Sequence, residues 1–176
     1  MGGIRITPDY TLFLDRDGVI NKRLMGDYVK SWEEFEFIPG SLEAIAKASS
    51  MFETIVVVTN QQGIAKKLMT EQDLADIHGQ MVEEVTKAGG RIDHVYHCPE
   101  LASEDPHCRK PNPGMANQAK AMFPKIDFEK SIMVGDSISD MQFGERLSMK
   151  CCFIGENDQY DRYESLIHVI ESITSK

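Results

Sequence analysis

The stretch Tyr10–Asn21, YTLFLDRDGVIN, runs an apolar, strand-like segment straight into two carboxylates spaced two apart. A strand ending in Asp15-x-Asp17-Gly18 delivers its acids to the C-terminal edge of a sheet, where open α/β sheets bind their ligands. Paired carboxylates at that edge suit a hard metal ion or nucleophilic chemistry on phosphate. A plain turn after a strand stays open as an alternative. A calcium loop does not, because its pattern puts glycine at the sixth position and Ile20 stands there.

Outward from this segment, strand and helix patterns alternate. PGSLEAIAKASSM reads as a helix capped by Ser41, with Leu42, Ile45 and Ala46 on one face. ETIVVVT is a β-branched run of the kind buried on both sheet faces. After the loop NQQGIAKKLM, Thr70 and Asp73 fit a capping box, and Leu74, Ile77, His78, Met81, Val82 and Val85 recur at helical spacing up to Gly89-Gly90. His78 lies within that stripe and reads as a packed residue. IDHVYH is a third strand, PGMANQAKAMF a helix with Pro113 near its first turn, and SIMVGD a fourth strand. SISDMQFGERL is a helix, KCCFIG a fifth strand and YESLIHVIESI a closing helix. Such alternation predicts a parallel sheet flanked by helices, in one domain spanning 1–176.

Composition narrows the function. At 176 residues and 41% hydrophobic the chain can bury one full core. A formal net charge of -9 argues against nucleic acid, which is bound through clustered Lys and Arg. No run approaches the ~18 consecutive apolar residues of a membrane span, MGGIRITPDY has no apolar signal core, and Ile6 stands where a myristoylation signal has Ser or Thr. These features predict a cytoplasmic protein without nucleic-acid or membrane partners. Cys98, Cys108, Cys151 and Cys152 read as buried, inert thiols rather than as a disulfide framework, and strand geometry points Cys151 and Cys152 to opposite faces.

Three predicted strand ends carry polar groups. The first offers Asp15 and Asp17, the second Thr59, Asn60 and Gln61, and the fourth Asp136 with Asp140 one turn further on. A parallel sheet gathers all of them at one edge. Before the fourth strand, CRKPNPG supplies Arg109 and Lys110, the cations that an acidic phosphate site requires. Each has a bland alternative: Thr59 as a plain strand end, Lys110 as a solvated side chain, Asp136 as a helix cap. Four bland readings in this order are far less economical than one site.

The ordered set DxDG, Thr, Lys and GDxxxD resembles the haloacid dehalogenase (HAD) phosphohydrolases, over about Tyr10 to Gly155. FLDRDGVIN, FEFIPG, VVVTNQQGIA, YHCP, CRKPNPGM and MVGDSISDM together look like the subgroup that holds heptose-bisphosphate phosphatases and histidinol phosphatases. The resemblance implies a three-layer, Rossmann-like α/β fold without a large cap domain. It also implies a phosphomonoesterase in which Asp15 attacks phosphorus, Asp17 serves as acid and base, and Thr59 and Lys110 hold the transferring oxygens. Mg²⁺ would be held by the Asp15 and Asp136 carboxylates and the Asp17 backbone carbonyl, with Asp140 orienting the groups around it. Asn60, Gln61 and Arg109 are expected to bind substrate, Arg109 through a second anionic group. A non-catalytic phosphate-binding module is the alternative of another class, and the presence of both Asp15 and Asp17 argues against it.

Two departures bear on the substrate. Many relatives carry a zinc loop of the form C-x-H, spacer, C-x-C, whereas CPELASEDPHC keeps Cys98 and Cys108 and has Glu100 and Pro106 at the inner positions. Proline cannot ligate, and structural zinc favours four S or N ligands, so zinc is not expected. Ser137 follows Asp136 where the heptose enzymes usually have Lys.

Overall fold

The predicted alternation of patterns is what the chain builds. The computed structural model describes residues 3–175 and contains β1 (Ile4–Ile6), β2 (Thr11–Leu14), α1 (Ser41–Ser49), β3 (Thr54–Asn60), α2 (Glu71–Lys87), β4 (His94–Cys98), α3 (Gly114–Met122), β5 (Ser131–Gly135), α4 (Ile138–Arg146), β6 (Lys150–Ile154), β7 (Arg162–Tyr163), α5 (Leu166–Ser172) and β8 (Ile173–Ser175). Six strands form a parallel sheet in the order β4-β3-β2-β5-β6-β7. β2 lies at its centre, with Leu12 opposite both Ile55 and Ile132.

Strand periodicity divides the core into two layers. Leu12, Leu14, Ile55, Val57, Ile132 and Val134 pack with Ile45 of α1, Ile77 and Met81 of α2 and Val169 of α5. Phe13, Val56, Val58 and Met133 point the other way, against Met115 and Ala119 of α3 and Phe143 of α4. The sheet is thus covered on both faces, which is why its strands read as continuous apolar runs. Among the described residues, no helix is long and apolar enough to cross a membrane.

The Thr70–Asp73 capping box is present: Thr70 Oγ1 accepts from the Asp73 amide (3.0 Å) and the Asp73 carboxylate accepts from the Thr70 amide (2.8 Å). One local expectation needs correction. Ser41 is the first residue of α1 rather than its cap; Gly40 precedes it with φ 85°, and Ser41 Oγ is buried without a partner. The strand pair β1–β8 and the two-residue β7 were not foreseen, because such short segments carry no periodicity and exist only through distant partners, Ile4 beside Ile173 and Phe153 beside Arg162. Cys151 and Cys152 do face opposite ways, Cys152 into the α5 side and Cys151 against Gly144 of α4. Burial pushes their thiols up to about 11 and about 12.

Candidate active site

Asp15 follows directly on β2, and its amide continues the ladder by donating to Val134 O (3.0 Å). Two residues on, Gly18 has φ 86° and its amide donates to Asn21 O (2.8 Å). A Cβ at Gly18 would collide with the carboxylate of Asp136, so only glycine lets the turn after β2 lie against the end of β5. That contact brings the acids of two strand ends together.

Lys110 arrives from the loop after β4. Its fully enclosed Nζ donates to Asp15 Oδ1 (2.9 Å), Asp140 Oδ1 (2.7 Å) and Val58 O (2.7 Å). Asn60 at the end of β3 clamps the Lys110 backbone: Oδ1 accepts from Lys110 N (3.0 Å) and Nδ2 donates to Lys110 O (3.2 Å). Asn60 therefore holds the lysine as well as lining the cavity. Asp140 ties the lysine to the start of α4. It accepts from Lys110 with one oxygen and from the Asp136 and Ser137 amides (3.1 and 3.2 Å) with the other, so it fixes the lysine and caps α4 at once.

Burial, with Asp140 beside it, pushes the Asp15 carboxyl well above the usual carboxylate range against the pull of Lys110. Burial also raises Asp136, with Arg23 opposing. For Lys110 burial is outweighed by Asp140 and Asp15, and the ammonium is held charged.

Asp17 has the opposite balance. Burial works to raise it, and the Arg16 guanidinium, with Asn21 and Gln61, overrides that and keeps it below the usual carboxylate range. Asp17 Oδ1 accepts from Arg16 Nη2 (2.8 Å) and Asn21 Nδ2 (2.9 Å), and Oδ2 from Gln61 Nε2 (2.9 Å). Gln61 also donates to Thr59 Oγ1 (2.9 Å). Thr59 and Gln61 are both buried, and Gln61 links Thr59 to Asp17.

The cavity at this edge measures about 530 Å³ and is lined by Asp15, Asp17 and Lys110 together with Arg109. Arg109 Nη1 is buried with no partner, and burial lowers its guanidinium from the ordinary value. The loop after Asn21 and the NQQGIA loop, with Gln62 and Lys66, complete the mouth. Residues 23–29 line one side of the mouth; in them, Arg23 Nη1 lies 3.2 Å from Asp136 Oδ2, and Tyr28 OH accepts from Gln62 and Lys66 (3.0 Å each). Gln62 also accepts from the Ala102 amide (3.1 Å), tying three loops together. No local pattern could have announced partners so distant in the chain. His78 is packed, as expected, but against Arg16 (3.0 Å), a residue the sequence did not single out.

The cysteine reading fails for two of the four. Cys98 and Cys108 are joined Sγ to Sγ, with Cα atoms 5.3 Å apart, and Glu100 is the third group at that point. The loop folds back through Asp105 at φ 44°, held by Asn112 Nδ2 on Asp105 Oδ1 (2.9 Å) and Pro106 O (3.0 Å), which returns Cys108 to the end of β4. His97 turns elsewhere, to Glu71 (2.8 Å).

Carboxylate oxygens of Asp15, Asp136 and Asp140 come within 4.8 Å of one another, and Asp136 Oδ1 is buried with no partner. Three acids share one buried ammonium and the half-exposed Arg23. A divalent cation with oxygen preference fits both the surplus charge and the unpaired oxygen.

The family model described as polynucleotide kinase 3 phosphatase matches residues 9–157. The chain belongs to this family of HAD-type phosphatases. It is a phosphoric monoester hydrolase by that membership. A D-glycero-alpha-D-manno-heptose-1,7-bisphosphate 7-phosphatase of Mycobacterium tuberculosis is 40% identical over 139 residues, 79% of this chain and 73% of that one. A D-glycero-beta-D-manno-heptose-1,7-bisphosphate 7-phosphatase of Neisseria meningitidis is 39% identical over 131 residues, 74% and 69% of the two chains. Among solved structures, the D,D-heptose 1.7-bisphosphate phosphatase of B. bronchiseptica, complexed with magnesium and phosphate, superposes with TM-score 0.83 at 31% identity, covering 92% of this chain and 96% of that one.

Proposed function

We propose that this HAD-type phosphatase is magnesium-dependent and removes the 7-phosphate of D-glycero-D-manno-heptose 1,7-bisphosphate, working as one domain over residues 1–176. The observation that carries the substrate reading is Arg109 Nη1, buried and unpaired in the cavity that also holds Asp15 and Asp17. A guanidinium so placed matches a second phosphate, which the bisphosphate has and histidinol phosphate lacks. The similarity to heptose-bisphosphate phosphatases supports the same choice. A small, doubly phosphorylated sugar fits a cytoplasmic enzyme, monomeric or weakly oligomeric, without nucleic-acid or membrane partners.

In this reading Asp15 attacks phosphorus and carries the phosphoryl group as an aspartyl-phosphate, dividing one displacement into two. Asp17 gives a proton to the departing sugar oxygen and later takes one from the hydrolytic water. Arg16 holds that carboxyl below the usual range at rest, and a phosphate beside it favours the neutral acid. Lys110 stabilises the transferring oxygens, held by Asn60 and Asp140. Asp15 and Asp136, with the Asp17 backbone carbonyl, would hold Mg²⁺, which when bound offsets the charge of acids and phosphate together.

The test compares kcat/KM for the heptose 1,7-bisphosphate, the same heptose carrying only the 7-phosphate, and histidinol phosphate. The bisphosphate of one or both anomers should lead. Arg109→Ala should shrink its advantage over the monophosphate by about 10- to 10²-fold, the worth of one charge-assisted contact. A preference for histidinol phosphate, or an advantage untouched in Arg109→Ala, would overturn the substrate reading.

A further inference from the structure

Arg16 stands between the two acids of the DxD segment, yet its side chain is fully buried. An enclosed guanidinium is costly unless its nitrogens find partners. Nη2 donates to Asp17 Oδ1 (2.8 Å), Nη1 contacts His78 Nε2 (3.0 Å), and the Phe35 ring centroid lies 5.9 Å from Cζ. Arginine has only donors, so His78 Nε2 accepts, and the imidazole is the neutral tautomer with its proton on Nδ1. Burial, assisted by Arg16, holds His78 down at about 3, so it keeps this form at any working pH. His78 is itself fixed on α2, 62 residues away in sequence.

The consequence falls on one carboxyl group. Arg16 and Asn21 both donate to Asp17 Oδ1, whereas among the described residues Oδ2 receives only Gln61. The plane of the carboxyl is pinned through Oδ1, and the lone pair left over belongs to Oδ2. We infer that Arg16, seated by His78, is a positioning residue that sets the Asp17 carboxyl so that Oδ2 carries the proton delivered to the leaving oxygen. This rests on the reading of Asp17 as the general acid and adds the device that aims it.

A residue that only supported the fold would affect all substrates alike. One that aims an acid matters in proportion to how much the leaving group needs a proton. The two cases separate on p-nitrophenyl phosphate, whose leaving group departs as a stable phenolate, against benzyl phosphate, whose alkoxide must be protonated. The quantity read is the ratio of kcat/KM for the two esters, which reports the phosphorylation of Asp15. Asp17→Asn should raise the ratio by about 10²-fold, the usual worth of a general acid. Arg16→Met and His78→Leu should each raise it by about tenfold or more, since ~1 Å of misplacement is enough for losses of that order. His78→Gln, whose amide oxygen can accept from Nη1, should bring the ratio back toward wild type. Should Arg16→Met fail to fold, His78→Leu against His78→Gln still decides. If both losses are equal on the two esters while Asp17→Asn discriminates, Arg16 and His78 do not aim the acid and the inference falls alone. If Asp17→Asn does not discriminate either, the reading of Asp17 as the acid falls and takes the inference with it.

Discussion

Lys110→Met tests the charge balance at the centre of the site. The methionine keeps much of the side chain's bulk and removes the ammonium that serves Asp15, Asp140 and Val58 O at 2.7–2.9 Å. All three charged side chains are nearly enclosed, at 2% exposure for Lys110, 1% for Asp140 and 11% for Asp15. Removing one partner of a buried ion pair costs about 3–5 kcal/mol. For a chain of this size ~1 kcal/mol corresponds to about 2–4 °C, so Tm should fall by roughly 6–20 °C. The pH dependence has a definite sign. Asp15 already lies above its ordinary value, and losing Lys110, which opposes that rise, raises it further. A carboxyl raised in the folded state contributes its stability below the unfolded value of ~3.9 and loses it as pH rises through the folded one. The deficit of Lys110→Met should therefore be smallest near pH ~4 and grow toward neutrality. Circular-dichroism melts in EDTA across that range measure it, and adding Asp140→Asn should recover part of the loss, because one orphaned acid is then gone. A Tm within about 2 °C of wild type at neutral pH, or a deficit that shrinks as pH rises, would refute the balance.

Three further outcomes are expected. Asp15→Asn should give no phosphoryl transfer in single-turnover assays while melting no lower than wild type, since a crowded buried carboxylate is removed; substantial turnover would exclude Asp15 as nucleophile. Mg²⁺ at ~100 times its Kd should raise Tm of the wild type by about 5–10 °C in thermal-shift measurements, from ~2.7 kcal/mol of linkage. Asp136→Asn should lose most of that shift, and an equal shift in both would remove Asp136 from the metal site. Gly18→Ala should lower both Tm and kcat, because φ 86° and the Asp136 carboxylate leave a Cβ no room; wild-type values of both would show that the turn can move aside.

What was legible in the sequence was whatever had a local signature. β2, β3 and β5 are apolar runs ended by acids or Asn, and Thr70–Asp73 is a capping box with fixed spacing, so Asp15, Asp17, Lys110 and Asp136 could be placed at one edge. Groups whose meaning lies in a distant partner were illegible. Arg16 looked like an ordinary polar residue between two acids, and only the fold encloses it with His78. Arg23 finds Asp136 across 113 residues of chain. Thr59 could be placed at the strand end, but strand alternation predicts which way a side chain points and not that Gln61 donates to it. Cys98 and Cys108 were misjudged because the return of the loop through Asp105 has no signal in composition.

The seat of Asp15 has a bearing on how the enzyme tolerates change. β2 is bonded on both sides, buried along its whole length, and extended by the Asp15 amide itself. Amides there should be among the slowest to exchange with deuterated solvent, released only when the whole sheet opens. The rim from Arg23 to Val29, with Met25 88% exposed at its tip, has few such ties and should exchange early. The nucleophile and the mouth of the cavity should thus open independently. Loop exchanges between residues 23 and 29 can re-tune what enters the cavity while the nucleophile stays anchored, a division of labour that directed evolution of new phosphatase specificities can exploit.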